Sequence, residues 1–222
     1  MTPIQAPRDT DVMNRRGFAR SVLIGGSALA LPFRIRGQTA PRVDGQRLNR
    51  NLAALARFGR TPEGGISRVA YSDADLDARA NVRTLMESAG LTVRTDLAGN
   101  LIGARPGRRT TAPVMLGSHI DSVPEGGNYD GQVGSMGAIE VAQALHDAGW
   151  VTEHPLEFII FQNEEGGKTG SRALAGEVEP RELDIVTASG KTIRDGIRGL
   201  GGDPDRLNDA RRDPETIAAF LK

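Results

Sequence analysis

The chain has 222 residues, 38% of them apolar, with 28 Gly and 12 Pro; that supports one α/β-type core and is too loop-rich for a helical bundle. Lys plus Arg and Asp plus Glu both number 28, so no single-signed field points to nucleic acid or an anionic membrane as partner. Cysteine is absent, which excludes disulfides, a nucleophilic thiolate and thiolate metal sites. A metal would have to be held by carboxylates and by His119, His146 or His154, the only histidines.

Residues 1–40 read as an export signal. Asn14-Arg15-Arg16-Gly17-Phe18 precedes an apolar run from Ser21 to Phe33, and Gln38-Thr39-Ala40 offers a small-residue cleavage site. The paired arginines resemble the twin-arginine type, which carries folded proteins across the membrane. The run falls short of the ~20 apolar residues of a membrane-spanning helix. The expectation is a periplasmic protein with no stable membrane anchor, its folded domain covering residues 41–222.

In that domain Leu48, Leu52, Leu55 and Phe58 predict a helix over 44–58, with Gly59 at its end. Ser72 and Asp75 form a capping pair before the stripe Val82, Leu85, Met86 and Ala89, which Gly90 closes. Residues 91–95 and 100–104 predict a hairpin joined through Ala98-Gly99-Asn100. Pro113–Gly117 and Leu156–Phe161 are short apolar strands. Ala138, Val141, Ala142 and Leu145 stripe a helix between them, roughly 134–148. Strand, helix, strand is the βαβ pattern, so the fold class is α/β, a sheet with flanking helices. Beyond Glu179 the chain is charged and helical in flavour, broken at Gly201-Gly202-Asp203-Pro204.

Both apolar strands run into polar residues at their carboxyl ends, where α/β sheets collect ligands. The first gives Ser118-His119-Ile120-Asp121 and the second Gln162-Asn163-Glu164-Glu165, with Tyr129-Asp130-Gly131 in a glycine-flanked loop between them. Neutral imidazole and carboxylate suit zinc. His119 and Asp121 alternate onto one face, so the carboxylate can accept a hydrogen bond from the second imidazole nitrogen and set its tautomer. Two adjacent glutamates in an extended chain diverge, so one can bind metal while the other takes a proton from metal-activated water. His146, near a helix end, and His154, before Pro155, read as surface residues outside the site.

The stretches GSHIDSVPEGGNYDGQVG (117–134) and FQNEEGGKTGSRALAG (161–176), supported by GRTPEGGISRVAYSDAD (59–75) and AGLTVRTDLAGNLIGARPG (89–107), resemble the di-zinc amidohydrolases. That family includes allantoate amidohydrolase, N-carbamoyl-L-amino-acid hydrolase and β-ureidopropionase, and it is similar to aminoacylases and di-zinc exopeptidases. The resemblance implies that His119 binds one zinc ion, Asp130 bridges two, and Glu165 binds the second. It implies Glu164 as the general base and Asp121 as the residue orienting His119. It implies hydrolysis of a linear amide or ureido C–N bond in a small-molecule substrate, with Zn2+, or Mn2+ or another divalent ion, as cofactor.

The fold implied is the first half of a di-zinc exopeptidase-like catalytic domain, without the inserted domain through which the full-length family forms homodimers. The family's His-x-Glu-Gln-Gly motif does not occur here, and Gly166-Gly167-Lys168-Thr169-Gly170 replaces an arginine-phenylalanine pair common in relatives. The expectation is therefore an incomplete site with weak metal binding and no useful turnover alone. The competing expectations are a di-zinc exopeptidase or aminoacylase, and a non-catalytic periplasmic module that kept the fold.

Overall fold

The computed structural model describes residues 40–222; the twin-arginine motif of residues 14–20 lies outside the described residues. Helix α1 (Gly45–Leu55) starts because the Asp44 carboxylate accepts from the backbone N–H groups of Gln46 and Arg47. It ends earlier than the apolar stripe alone suggests: residues 56–59 form turns, and Gly59 adopts φ +81. Helix α2 (Asp73–Ser88) is capped by Ser72 as expected, its hydroxyl 3.2 Å from the Asp75 N–H. It buries Ala78, Val82 and Met86, and Gly90 at φ +77 lets the chain turn away.

Strands β1 (Thr92–Thr95) and β2 (Leu101–Arg105) form the expected antiparallel hairpin. Strand β3 (Val114–His119), helix α3 (Gln132–Asp147) and strand β4 (Leu156–Phe161) form the βαβ unit. β3 and β4 are parallel immediate neighbours, with His119 opposite Phe161. A short strand β5 (Ala219–Leu221) adds to the other side of β3, giving the order β1-β2-β4-β3-β5. The sequence pattern did not predict β5: three residues, all exposed, carry no periodicity.

Four consecutive β4 residues, Phe158 to Phe161, are buried because helices or loops cover both faces of the sheet. On one face Phe158 and Ile160 pack with Leu55, Val82, Met86, Ile139 and Ala142 from the three helices. On the other, Ile159 and Phe161 meet Ile102, Met115, Leu174 and Ile217. Beyond β4 lie α4 (Thr169–Ala175), α5 (Ile193–Gly199) and three short 3-10 helices. They enclose a separate small core in which Leu183, Ile193, Ile197 and Leu207 pack around Tyr71. Among the described residues no helix is long and apolar enough to cross a membrane.

A buried ion pair ties α1 to the helix that leads out of the functional rim. Arg47 donates to Glu140 at 2.7 and 2.8 Å, and the Asp44 N–H donates to the same carboxylate at 2.7 Å. Glu140 is almost fully enclosed, so three donors offset the desolvation of its charge. Its pKa is lowered by the Arg47 hydrogen bonds, against burial, which raises it, with further lowering from the Asp44 N–H.

Gly117 holds the centre of β3 against β4. Its φ is +149, and a Cβ there would stand 1.9 Å from the Ile159 carbonyl oxygen. Gly117→Ala should therefore lower unfolding free energy by at least about 2 kcal/mol, read by urea denaturation. A loss within 0.5 kcal/mol would contradict the close approach described here.

Candidate active site

The parallel register brings the carboxyl ends of β3 and β4 level, so His119 and the Asn163–Lys168 turn share one rim. The His119 imidazole is buried. Its Nδ1 lies 3.1 Å from the Asp121 main-chain oxygen and 3.5 Å from the Asp121 Oδ1. A carbonyl can only accept, so Nδ1 carries the proton and Nε2 presents its lone pair. Asp121 thus fixes the tautomer through its main-chain oxygen rather than through the expected carboxylate. The Asp121 carboxylate reaches across the rim, where Oδ2 accepts from the Glu165 N–H at 3.0 Å. Oδ1 is buried and has no hydrogen-bond partner among the described residues.

Gly131 makes the close approach of the loop possible. It sits at φ +71, and a Cβ would stand 2.3 Å from Nε2 of His119. Asp130, exposed, immediately precedes it, and α3 begins immediately after it. Ser135, one turn into α3, donates to the His119 carbonyl at 2.8 Å and locks the strand end to the helix.

Glu164 and Glu165 diverge, though by a different cause than an extended chain. Asn163 at φ +48 and Lys168 at φ +57 bend the segment into a tight turn, closed by Lys168 N–H to Glu164 O at 3.0 Å. Asn163 also donates to the Thr169 hydroxyl at 2.9 Å. Glu164 turns toward His119, with Oε2 3.7 Å from Nε2, and its Oε1 meets the Lys222 ammonium at 3.0 Å. Glu165 stays on the Asp121 side.

Electrostatics follow from this crowding. Burial raises the pKa of Glu165; the His119 charge lowers it, and the charges of Asp130, Asp121 and Glu164 raise it again. Burial works against the charged form of His119, but the hydrogen bond and charge of Asp121, with the charge of Glu164, outweigh it and raise its pKa above 6.5. Four carboxylates around one imidazole form a negative rim that a cation would relieve.

The donor types and the free Nε2 fit a zinc-class metal. In this conformation, among the described residues, no three His, Asp or Glu side chains converge closely enough to enclose an ion. His146 is exposed, and its Nδ1 packs over Gly90. His154 is half-buried rather than fully at the surface, with Nδ1 3.1 Å from the Ala112 carbonyl oxygen. Neither is a donor to the rim.

Two residues that sequence reading missed complete the rim. Arg68 is fully buried and donates from Nε to the Ile120 carbonyl at 2.7 Å, while its N–H donates to the Ser122 hydroxyl at 3.0 Å. It clamps the segment between His119 and Ser122 from a loop more than fifty residues upstream. Lys222, just past β5, supplies the ammonium beside Glu164. Neither belongs to a local motif, so no spacing announces it.

The fold and rim define an α/β domain with imidazole and carboxylate side chains at the carboxyl ends of parallel strands, and the comparisons narrow that class. A model of peptidase family M28 matches residues 100–189. The chain is 40% identical over 186 residues to the N-carbamoyl-L-amino acid amidohydrolase of Geobacillus stearothermophilus, covering 81% of this chain and 46% of that one. It is 38% identical over 189 residues to the ureidoglycolate hydrolase of Arabidopsis thaliana, covering 81% of this chain and 38% of that one. A crystal structure of a hydantoinase/carbamoylase family amidase from Burkholderia vietnamiensis superposes with a TM-score of 0.72 at 38% identity, covering 82% of this chain and 45% of that one. The chain carries the catalytic-domain fold of those amidases. It spans just under half the length of the N-carbamoyl-L-amino acid amidohydrolases it matches.

Asp121→Asn should lower the titration midpoint of His119 by removing the carboxylate that stabilises the imidazolium, an effect read by NMR of the ring protons. The sign for stability follows from the raised pKa. His119 adds stability below its unfolded value near 6.5, and that contribution disappears as pH rises through the folded value. In Asp121→Asn this pH-dependent part should shrink. An unchanged His119 midpoint would show that the carboxylate exerts no control over the ring.

Proposed function

We propose that this chain belongs to a hydrolase of linear ureido or amide C–N bonds, of the N-carbamoyl-amino-acid or allantoate type, that uses water as nucleophile. The observation that carries the reading is the joint placement of His119, Asp121, Glu164 and Glu165 on the rim shared by β3 and β4. Similarity to N-carbamoyl-L-amino acid amidohydrolases and to ureidoglycolate hydrolase supports the bond class. In this reading His119 through Nε2, Asp130 and Glu165 are the metal donors of this chain, with Asp121 orienting the imidazole. A divalent cation bound there would act as a Lewis acid toward the carbonyl oxygen and lower the pKa of water.

The remaining chemistry falls to the side chains. Glu164 is positioned as general base, with its carboxylate at the rim and held between an imidazole and an ammonium. Water adds to the carbonyl carbon as Glu164 takes its proton. The C–N bond then breaks, and the same proton passes to the leaving nitrogen. The Lys222 ammonium, 3.0 Å from Oε1, holds Glu164 in place. Residues 1–40, by their paired arginines and apolar run, mark the protein for export to the periplasm.

The test combines zinc titration with an assay of ammonia or amine release from N-carbamoyl amino acids on the 222-residue chain. Zinc should bind weakly to wild type, more weakly still to His119→Ala, and unchanged to Glu164→Gln. Any zinc-dependent hydrolysis should fall by at least about a hundredfold in Glu164→Gln. Zinc binding indifferent to His119, or hydrolysis indifferent to Glu164, overturns the assignment. A substrate panel of dipeptides and N-acyl amino acids, if preferred over ureido compounds, reassigns the bond class to that of an exopeptidase or aminoacylase.

A further inference from the structure

A cavity of about 250 Å³ opens at the rim, lined by Asp121 and Glu165 together with Val123, Pro124, Ile185 and Val186. That volume is below the range of drug-sized ligand pockets and suits a short aliphatic group. Three of its wall residues are large apolar side chains left exposed, Val123 by 47%, Ile185 by 52% and Val186 by 64%. Among the described residues no lysine, arginine or histidine lines it. An acidic group entering it would lose water against apolar walls, with no lysine, arginine or histidine side chain among the lining residues to pair with.

The apolar wall is held in place rather than left to drift. Val186 bridges to Thr192, and the Ile193 N–H donates to the Ile185 carbonyl at 3.0 Å. Thr187 and Lys191 close the turn at 2.9 Å, and the Lys191 ammonium donates to the Tyr71 carbonyl at 2.8 Å. The opposite wall is equally fixed: Ser122, next to Val123, is hydrogen-bonded to both Ile66 and Arg68. Two anchored apolar segments that line the same cavity as Asp121 and Glu165 form a preorganised recess for one side group of a molecule whose scissile bond sits at the rim.

We propose that this recess, walled by Val123, Ile185 and Val186, receives an apolar side chain on the α-carbon of the substrate and selects neutral aliphatic N-carbamoyl amino acids over acidic ones. The proposal rests on the hydrolase reading above, and binding rather than turnover tests it. The 222-residue chain is titrated calorimetrically with N-carbamoyl-L-leucine, N-carbamoylglycine and N-carbamoyl-L-aspartate, in wild type and in Val186→Lys. Residue 186 is exposed, so the substitution leaves the core untouched.

Wild type should bind the leucine compound at least about tenfold more tightly than the glycine compound, the scale of a few methylenes in an apolar pocket. The aspartate compound should bind most weakly. Val186→Lys should reverse the order by weakening leucine and strengthening aspartate. Equal binding of all three compounds, unchanged by Val186→Lys, overturns the recess while the hydrolase reading stands. Failure of all three to bind overturns both.

Discussion

The parallel pairing of β3 with β4 is the constraint on which the site depends. Because His119 lies opposite Phe161, the imidazole and the turn that follows Phe161 arrive at the same height. One residue of slip would move every side chain of β3 to the other face and carry His119 away from Glu164. Register in turn depends on Gly117, whose missing side chain lets the two backbones meet, and on the two-sided burial of Phe158 to Phe161. Packing of ordinary apolar residues therefore sets the spacing of the reactive ones.

Around this pairing the carboxylates are distributed rather than stacked. Asp121 links both strand ends, contacting the imidazole through its own backbone and the Glu165 N–H through its carboxylate. Glu164 is held between ring and ammonium, and Asp130 approaches on a loop that glycine brings close. Each acidic group has a different neighbour, which is how several like charges can serve separate purposes within a few ångströms. The Arg47–Glu140 pair anchors the far part of α3, and Ser135 anchors its start, so the helix leaving the rim is fixed at both ends.

Much of this was legible in the chain. Val114–His119 and Leu156–Phe161 are apolar runs ending in polar residues, and the stripe of α3 between them makes the crossover unit nearly obligatory. The candidate ligands were visible for the same reason: each stands just past a strand or beside a glycine. What was not legible depends on contacts between distant segments. Arg68 reads as an ordinary basic loop residue until Ile120 and Ser122 are folded against it. β5 has too few residues to show alternation and exists only because β3 offers it an edge. The divergence of Glu164 and Glu165 was foreseen, yet its cause is the left-handed conformation of Asn163, which no period reports.

The contrast within the loop before α3 bears on how such a protein can change over generations. Gly127 is exposed, and a Cβ there would meet nothing within 4 Å. A few positions on, Gly131 leaves no room for even one methyl group beside the ring. Insertions and drift in length are thus confined to the arc around Gly127, while the final glycine of the loop is frozen. Lineages sharing this scaffold should vary freely in how the segment bulges outward and hardly at all in how it returns.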